Sequence, residues 1–311
     1  MQKMQNDEIK IALQHRSRSA RIESRGKMIS FACITLIVAV VFAIFAFVAY
    51  HGISTFVGTK VSVWNFLTKT AWAPGTTDAS GVPKLGALPM IAGSFGVTLL
   101  SAVVATPFAV SAAIYMVEIS PRVGKRILQP VIDLLVGIPS VVYGFIGLTV
   151  VVPFIRRVFG GSGFGILAGT FVLFVMVLPT VTSMTVSALK AVPRRYREAS
   201  LALGATRWQT IYKVVLRAGM PGILTGIVFG MARAFGEALA VQMVIGNAAL
   251  MPTSLISPAS TLTSVLTAGI GNTVMGSLEN NALWSLALIL LLMSLAFNLL
   301  VRWIGKKGEL K

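Results

Sequence analysis

Arg233 and Glu237 are the residues of this sequence whose types and spacing most clearly indicate chemistry. They stand four residues apart in an apolar stretch, so on a continuous helix they would share a face within ion-pair reach. A charge in such a stretch is costly and usually faces a cavity or a partner. A guanidinium stays charged and can bind two oxygens of an inorganic anion at once. The pair predicts either an anion pathway, in which Glu237 holds Arg233 while the pathway is empty, or a structural ion pair between two helices.

Other groups that could do chemistry are sparse. Cys33 is the single cysteine, and His15 and His51 are far apart in the sequence, so we expect no metal site. Asp133 is the other acidic residue in an apolar stretch, and no Ser/His/Asp or paired-carboxylate constellation is present. No G-x-x-x-x-G-K-[ST] motif occurs. We therefore expect a protein that is not an enzyme, binds no cofactor of its own and does not hydrolyse ATP.

The composition defines the class of protein that must position these residues. In a soluble protein a net charge of +17 over 311 residues would suggest nucleic acid as the partner. Hydrophobic residues make up 55% of the chain and charged residues only 12%, against about 25% charged in soluble domains, and the mean hydropathy is +0.82. Such a chain cannot cover a soluble surface. The composition therefore predicts an integral membrane protein and excludes a nucleic-acid partner.

Six apolar stretches are long enough to cross a bilayer as helices. They lie near 28–50, 93–116, 131–155, 164–189, 218–246 and 282–302. Each must be helical, because an isolated span has no other way to pair its backbone groups in lipid. The expected fold class is therefore an all-α membrane protein with one multi-pass domain over 28–305.

The positions of the basic residues predict the orientation. Of the 27 Lys and Arg residues, five fall in segments placed outside and one, Arg233, falls in a span when both termini are cytoplasmic. This excess of positive charge inside is the usual bias of membrane proteins. It makes 1–27 a basic cytoplasmic leader, either an amphipathic surface helix or a partly disordered segment, and 306–311 a cytoplasmic tail.

Two segments predicted outside are longer than simple hairpins. The 51–92 segment combines tryptophans with turn-forming prolines and glycines, whereas 247–281 has no Lys or Arg and is rich in Ser, Thr, Gly and Asn. The second segment is equally compatible with a short re-entrant helix and with a plain loop.

Within the third span, Pro139 precedes Ser140 and opens the helical hydrogen-bond ladder. We therefore expect either a passive kink in this helix or a gate at Pro139 and Ser140.

The segment 190–217 lies between the fourth and fifth spans and is predicted to be a cytoplasmic hairpin of two helices. Pro193 suits a helix start, Glu198 follows close to the positive end, Gly204 ends the helix and a second one begins near Thr206. This hairpin could insert into a cleft on a soluble partner. An ordinary basic connecting loop is the alternative on spacing alone.

The residues of this segment carry a family resemblance. Glu198-Ala199-Ser200-x-x-x-Gly204 followed by Val214-x-Leu216 resembles the EAA loop of bacterial ABC importer permeases. Ser200 replaces the second alanine, and Arg217 stands where that pattern has proline. The resemblance implies the type I ABC importer permease fold. It also implies that Glu198, Ala199 and Gly204 belong to a coupling helix that docks into a separate ATPase, which would bind ATP, with Mg²⁺.

Further motifs resemble the PstC-type permeases of bacterial phosphate importers. They are Ile138-Pro-Ser-Val-Val-Tyr-Gly144, Ala232-Arg-Ala-Phe-Gly-Glu237, Trp72-Ala-Pro74 and Gly86-Ala-Leu-Pro-Met-Ile-Ala-Gly93. The resemblance covers roughly 60–305 and implies phosphate as the cargo and the bacterial cytoplasmic membrane as the location. It also implies three protein partners: a PstA-like second permease, a dimeric PstB-like ATPase and an extracytoplasmic PstS-like binding protein.

Two other transport functions remain open from the sequence. One is a permease for another oxyanion, such as molybdate or sulfate. The other is a self-contained secondary carrier, which would be expected to show inverted internal repeats and to work without an ATPase. No convincing repeat relates the two halves of the sequence, and a docking hairpin would serve no purpose in such a carrier.

Overall fold

The computed structural model describes residues 18–57, 59, 61–79 and 81–308, with side chains described between 22 and 303. Most of the predicted leader (1–17) and the end of the tail (309–311) lie outside the described residues. Residues 18–27 are helical, so the first helix begins before position 28, where its apolar stretch starts. Its orientation in the membrane stays a prediction.

Six helical segments of the described chain are long and apolar enough to cross a membrane, which confirms the predicted number. We call them spans 1 to 6, and they are Ile22–Val57, Leu88–Ile119, Ser140–Phe159, Ile166–Ala191, Arg207–Phe235 and Leu278–Trp303. The α-helices are α1 Arg18–Val57, α2 Val63–Thr68, α3 Leu88–Ile114, α4 Pro121–Val123, α5 Gln129–Gly137, α6 Ser140–Ile146, α7 Val152–Phe159, α8 Ile166–Ala191, α9 Arg194–Ala202, α10 Arg207–Thr210, α11 Leu216–Phe235, α12 Leu239–Gln242, α13 Leu262–Gly269 and α14 Leu278–Gly308. Short π-helical turns join α3 to α4, α4 to α5, α6 to α7 and α10 to α11.

The chain divides into two units after Tyr50. The first unit is the helix up to Tyr50, whose described side chains from 22 to 47 are all exposed although their hydropathy is the highest in the chain. A helix that is apolar on every face is soluble only in lipid or against other proteins. This unit therefore has the surface of a membrane anchor.

In the second unit, from His51 onwards, span 4 is the central helix. About two thirds of its apolar window, 67%, is buried, because α3 and α11 both pack along it. Its buried side chains include Leu173, Val177 and Val181. Span 4 therefore provides the rigid surface on which the functional ends of spans 2 and 5 are positioned.

Span 5 approaches span 4 through three glycines spaced four residues apart. A Cβ added at Gly222 would lie 2.6 Å from Ala188 Cβ, one at Gly226 would lie 2.7 Å from Met184 Cβ, and one at Gly230 would lie 2.7 Å from Val181 Cγ2. Small residues at this spacing let two membrane helices pack backbone against backbone. The close approach continues toward Arg233, one turn beyond Gly230, and brings it to span 4.

We expect Gly226→Ala to destabilise the protein by about 1–3 kcal/mol, because the added methyl group would lie too close to the Cβ atom of Met184. The check is the thermal unfolding midpoint of the purified protein in detergent. Gly271→Ala is the matched control, since a Cβ at Gly271 would have no neighbour within 4 Å. Equal midpoints for the two variants would contradict the close packing of spans 4 and 5.

The third span differs from its prediction. The continuous helix expected over 131–155 is interrupted: α5 ends at Gly137, Ile138 and Pro139 are extended (ψ 128° and 142°), and α6 begins at Ser140. Proline disfavours helical geometry in the residue before it, so the chain leaves the helix at Ile138. The predicted kink is thus a full break, and the apolar span starts at Ser140.

The fifth span also differs, because the helix expected to reach residue 246 ends at Phe235. Gly236 is its C-terminal cap, and the next helix is the single turn Leu239–Gln242. Hydropathy did not reveal this end, since the two charged residues beside it, Arg233 and Glu237, stand in an otherwise apolar stretch that continues to residue 246. Because the helix ends between them, Arg233 and Glu237 do not share a helix face as their spacing predicted.

The long segments predicted outside contain regular structure, including two short strands that correct the all-α prediction. In 51–92, β1 Trp72–Thr77 pairs antiparallel with β2 Pro83–Leu85, following helix α2. In 247–281, the short helix α13 and a 3₁₀ turn Ile270–Asn272 are present, which favours the short helix over the plain loop.

Candidate functional site

Arg233 lies in the last turn of α11 and is exposed on the surface of this chain. Its Nη1 donates a hydrogen bond of 2.7 Å to the Oγ1 of Thr180. Thr180 is buried, with 8% of its surface exposed, and follows Pro179 in span 4. The guanidinium is also within electrostatic range of the Tyr143 hydroxyl in the broken third span. Arg233 is therefore held by a neutral hydroxyl, and its side chain makes no other hydrogen bond with the residues that the structure describes.

The predicted ion pair between Arg233 and Glu237 is wrong. The described side chains form ion pairs elsewhere, and Arg233 and Glu237 form none with each other. The helix ends between them, so the four-residue spacing no longer places them on one face. Instead, Glu237 is half-buried, and its Oε1 accepts a hydrogen bond of 3.2 Å from the backbone N–H of Ala240. This carboxylate caps the start of the single-turn helix α12.

The chain around Glu237 is fixed by contacts from two other elements. Thr263, in α13, donates its hydroxyl to the Glu237 carbonyl oxygen over 2.9 Å. Gly144, in α6, packs so closely on α12 that an added Cβ would lie 2.9 Å from Ala240 Cα. The two interrupted membrane helices therefore meet each other, while Gly236, where α11 ends, stays exposed on the surface of this chain.

The break at Pro139 and Ser140 is bridged by a side chain. The Tyr143 hydroxyl donates a hydrogen bond of 2.8 Å to the carbonyl oxygen of Leu135, which lies in α5 on the other side of the break. This carbonyl is one of those that lose their helical partner where α5 ends. Pro139 and Ser140 therefore lie at a point where the two helical pieces are linked by this hydrogen bond and by the extended residues Ile138 and Pro139.

Asp133 lies in α5 and is exposed, and its Oδ1 accepts a hydrogen bond of 2.9 Å from Gln129 Nε2 on the same helix. The structure does not bring it to Arg233 within hydrogen-bonding distance, so Asp133 is not part of the Arg233 cluster.

The hairpin predicted over 193–208 is present. Its first helix is Arg194–Ala202, and Gly204 turns the chain with φ +80°, a left-handed conformation that glycine adopts without strain. Thr206 then begins the second helix with a capping box, in which its hydroxyl accepts from the Gln209 N–H and the Gln209 side chain accepts from the Thr206 N–H. The signals read from the sequence are the ones that form the turn.

The three hairpin residues singled out from the sequence are all exposed: Glu198, Ala199 and Gly204. Between the two arms of the hairpin, the hydroxyls of Ser200 and Thr210 are hydrogen-bonded over 2.9 Å. The position where the sequence departs from the EAA pattern, Ser200, therefore ties the arms together. The hairpin presents a preformed surface rather than a loose loop.

Sequence reasoning missed one pair, Glu118 and Arg197. Glu118 lies in the π-helical turn Tyr115–Ile119 that ends span 2, and Arg197 lies in α9. Their side chains are only 11% and 20% exposed and meet at 2.6 Å. The sequence carried one signal, namely that Glu118 is an isolated carboxylate in a segment otherwise rich in basic residues.

This arrangement of interrupted membrane helices and an exposed hairpin agrees with the comparisons with known proteins. Residues 105–308 match the family described as binding-protein-dependent transport system inner membrane component. The chain belongs to this family of membrane permease subunits of ABC importers, and it is a multi-pass protein of the bacterial inner membrane.

Curated relatives cover most of the chain. It is 53% identical to the probable ABC transporter permease YqgH of Bacillus subtilis, over 92% of both chains. It is 32% identical to the phosphate transport system permease PstC of Mesorhizobium japonicum, over 79% of this chain and 80% of that one. The PstC of Pasteurella multocida is 30% identical over 88% and 89%. The resemblance to PstC-type permeases is thus confirmed.

Two solved structures share the fold. The MetNI methionine ABC transporter, in an inward-facing conformation, aligns with a TM-score of 0.50 over 68% of this chain and 93% of that chain, at 22% identity. An amino acid ABC transporter aligns with a TM-score of 0.50 over 70% and 92%, at 17% identity. The architecture predicted from the EAA motif, an ABC importer permease, is the one observed.

Proposed function

We propose that this chain is the permease subunit of an ATP-driven importer of inorganic phosphate and forms half of its translocation path. The observation that carries the proposal is Arg233, an exposed guanidinium that has no counter-charge among its hydrogen-bond partners and lies beside two interrupted helices. The naming of several relatives as phosphate transport permeases supports phosphate as the cargo. The most similar of the relatives described above carries no substrate in its name, so the cargo needs a direct test.

The chemistry of Arg233 suits a tetrahedral oxyanion. With one donor directed to Thr180, the remaining N–H groups, which have no hydrogen-bond partner among the described residues, can bind two oxygens of an anion in the geometry that a guanidinium favours. Glu237 contributes to the path by fixing the backbone after Gly236 rather than by pairing with Arg233. A second permease, PstA-like, would close the other side of the path and cover the exposed face of Arg233.

Energy would come from a separate dimeric ATPase, PstB-like, that binds ATP with Mg²⁺. The hairpin over 193–208 would dock into it through Glu198, Ala199 and the turn at Gly204. A PstS-like binding protein would deliver phosphate on the other side of the membrane, where 51–92 and 247–281 would lie. This orientation places both termini in the cytoplasm, as the distribution of basic residues favours.

The break at Pro139 and Ser140 suits a gate in the same path. The Tyr143 hydroxyl holds the two helical pieces together and lies within the electrostatic range of Arg233. We assign Pro139 and Ser140 to a joint at which α5 and α6 change their angle during transport.

The substrate is tested by competition in proteoliposomes that contain the assembled transporter with its binding protein, ATPase and second permease. We expect uptake of radiolabelled phosphate that needs ATP inside the proteoliposomes, where the ATPase faces in, and that unlabelled phosphate suppresses, whereas excess sulfate or molybdate does not. Phosphate is distinguished from sulfate by the protons it carries, which can donate hydrogen bonds. ATP-dependent uptake of labelled sulfate or molybdate in preference to phosphate would assign the permease to another oxyanion.

A further inference from the structure

Arg197 makes the densest set of polar contacts in the described part of the hairpin. Its Nε lies 3.1 Å from Oε1 and 3.3 Å from Oε2 of Glu118, and its Nη2 lies 2.6 Å from the same Oε1. The remaining donors reach backbone carbonyl oxygens, Nη1 that of Val192 at 2.7 Å and Nη2 that of Leu189 at 2.9 Å. One guanidinium therefore binds a carboxylate and two carbonyl groups at once.

These contacts join three elements, of which span 2 is distant in the sequence from the other two. Glu118 ends span 2, Leu189 lies in the last turn of α8 in span 4, and Arg197 belongs to α9 of the hairpin. The Leu189 carbonyl accepts a hydrogen bond of 3.3 Å from the N–H of the cap residue Val192 and has a second lone pair for another donor, and a cation at this end is favoured by the helix dipole. Arg197 donates to this carbonyl and to that of Val192, and it brings the carboxylate of span 2 to the same point.

Arg207, in the second arm of the hairpin, makes a related contact. Its Nη2 donates to the backbone carbonyl oxygens of Glu118 and Ile119 at the end of span 2. Both arms of the hairpin are thus attached to the same turn, one through the Glu118 side chain and the other through its backbone. Glu198 and Ala199 take no part in these two contacts and remain exposed on the surface of the hairpin.

The hairpin is firmly attached to spans 2 and 4 because the pair of Glu118 and Arg197 is largely buried. Exposed ion pairs contribute little to stability, whereas removing one partner of a largely buried pair leaves a charge without compensation. The planar guanidinium of Arg197 fixes both the direction and the length of its hydrogen bonds to Glu118. The hairpin is therefore held to spans 2 and 4 as one rigid piece and does not pivot about the short connection at 192–193.

We propose that Glu118 and Arg197 are positioning residues for energy coupling: they make spans 2 and 4 move with the hairpin when the ATPase moves it. The inference rests on the proposed function, in which the hairpin is the part that the ATPase contacts. Neither residue touches the cargo or ATP. Loss of the pair is expected to let the hairpin move without the spans, so that ATP is hydrolysed without import.

The test measures ATP hydrolysed per anion imported, in proteoliposomes containing the complete transporter. We expect Glu118→Gln and Arg197→Ala to raise this ratio at least about fivefold, since breaking a largely buried ion pair shifts an equilibrium by more than that factor. Arg197→Lys keeps the charge but lacks the planar guanidinium, and it should give an intermediate ratio of ATP hydrolysed to anion imported. A purely structural role would reduce assembly, lower both rates together and leave the ratio unchanged.

Arg126→Gln is the matched control, because Arg126 lies outside the hairpin in the turn Gly124–Leu128, is exposed, and makes no hydrogen bond or ion pair through its side chain with any residue whose side chain is described. It removes the same charge and should retain the ratio of the unmodified transporter. The inference is overturned if the Glu118 and Arg197 variants retain that ratio as well. The ratio is taken with whichever oxyanion the unmodified complex imports, so an error in the cargo leaves it intact, whereas import that survives deletion of the hairpin would overturn the coupling role itself.

Discussion

Replacing Arg233 by alanine is expected to reduce phosphate uptake at least about a hundredfold while the transporter still assembles. Two charge-assisted hydrogen bonds to a bound anion contribute about 3 kcal/mol in total, which corresponds to roughly that factor. Arg233→Lys should retain part of the activity, because an ammonium keeps the charge but cannot bind two oxygens in one plane. The measurement is the initial rate of labelled phosphate uptake, with assembly followed by co-purification of the ATPase.

Arg217→Ala is the control for this prediction. Arg217 lies in the same helix, α11, near its other end, and is exposed, so its loss changes the charge of the helix without touching the Thr180 contact. Thr180→Val tests the contact itself and should have a smaller effect than Arg233→Ala, within about tenfold, because it removes a single hydrogen-bond acceptor. Unchanged uptake in an assembled Arg233→Ala transporter would remove Arg233 from the path.

The second large effect is expected from replacing residues 193–208 by a flexible Gly/Ser linker. ATP-driven uptake should be abolished and the ATPase should no longer co-purify, because the exposed surface around Glu198 and the turn at Gly204 are both removed. The second permease should still co-purify, since the packing of spans 4 and 5 depends on glycines outside the hairpin. Co-purification of the two proteins and the uptake rate are measured on the same preparation.

A milder variant separates docking from folding in this prediction. Gly204→Val leaves every hairpin contact in place, since a Cβ at Gly204 would meet no atom within 4 Å, but it opposes φ +80° at a cost of about 1–2 kcal/mol. Gly26→Val, in α1, where an added Cβ also meets nothing and the backbone is not left-handed, is the control. Uptake that continues without the hairpin would support the self-contained carrier instead.

The six spans and the hairpin were predictable because each depends on residues close together in sequence. Hydropathy over about twenty residues determines which segments can cross the membrane. The turn at Gly204 and the cap at Thr206 form from neighbouring residues. The orientation of the termini remains a prediction, as does every functional role assigned to a single residue.

The helix breaks and the ion pair were not predictable in the same way. Gly236 is a possible helix end in the sequence, but a glycine inside an apolar stretch is also common in membrane helices, and the new direction of the chain depends on Thr263 and on the packing of α12 against Gly144. Consequently the spacing of Arg233 and Glu237, correct for a helix, led to a pair that does not exist. Glu118 and Arg197 are 79 residues apart, and their meeting depends on how the ends of spans 2 and 4 are placed.

The contact between Arg233 and Thr180 has a consequence for the resting transporter. A cation held by a carboxylate is electrically neutral until a competing anion displaces that carboxylate, and the displacement opposes binding. A cation held by a hydroxyl keeps a positive electrostatic potential at all times, and the hydroxyl can remain in place when an anion arrives. In the proposed path the empty site would therefore already attract anions and repel Na⁺ and K⁺, so that selection by sign of charge would precede any movement of the protein.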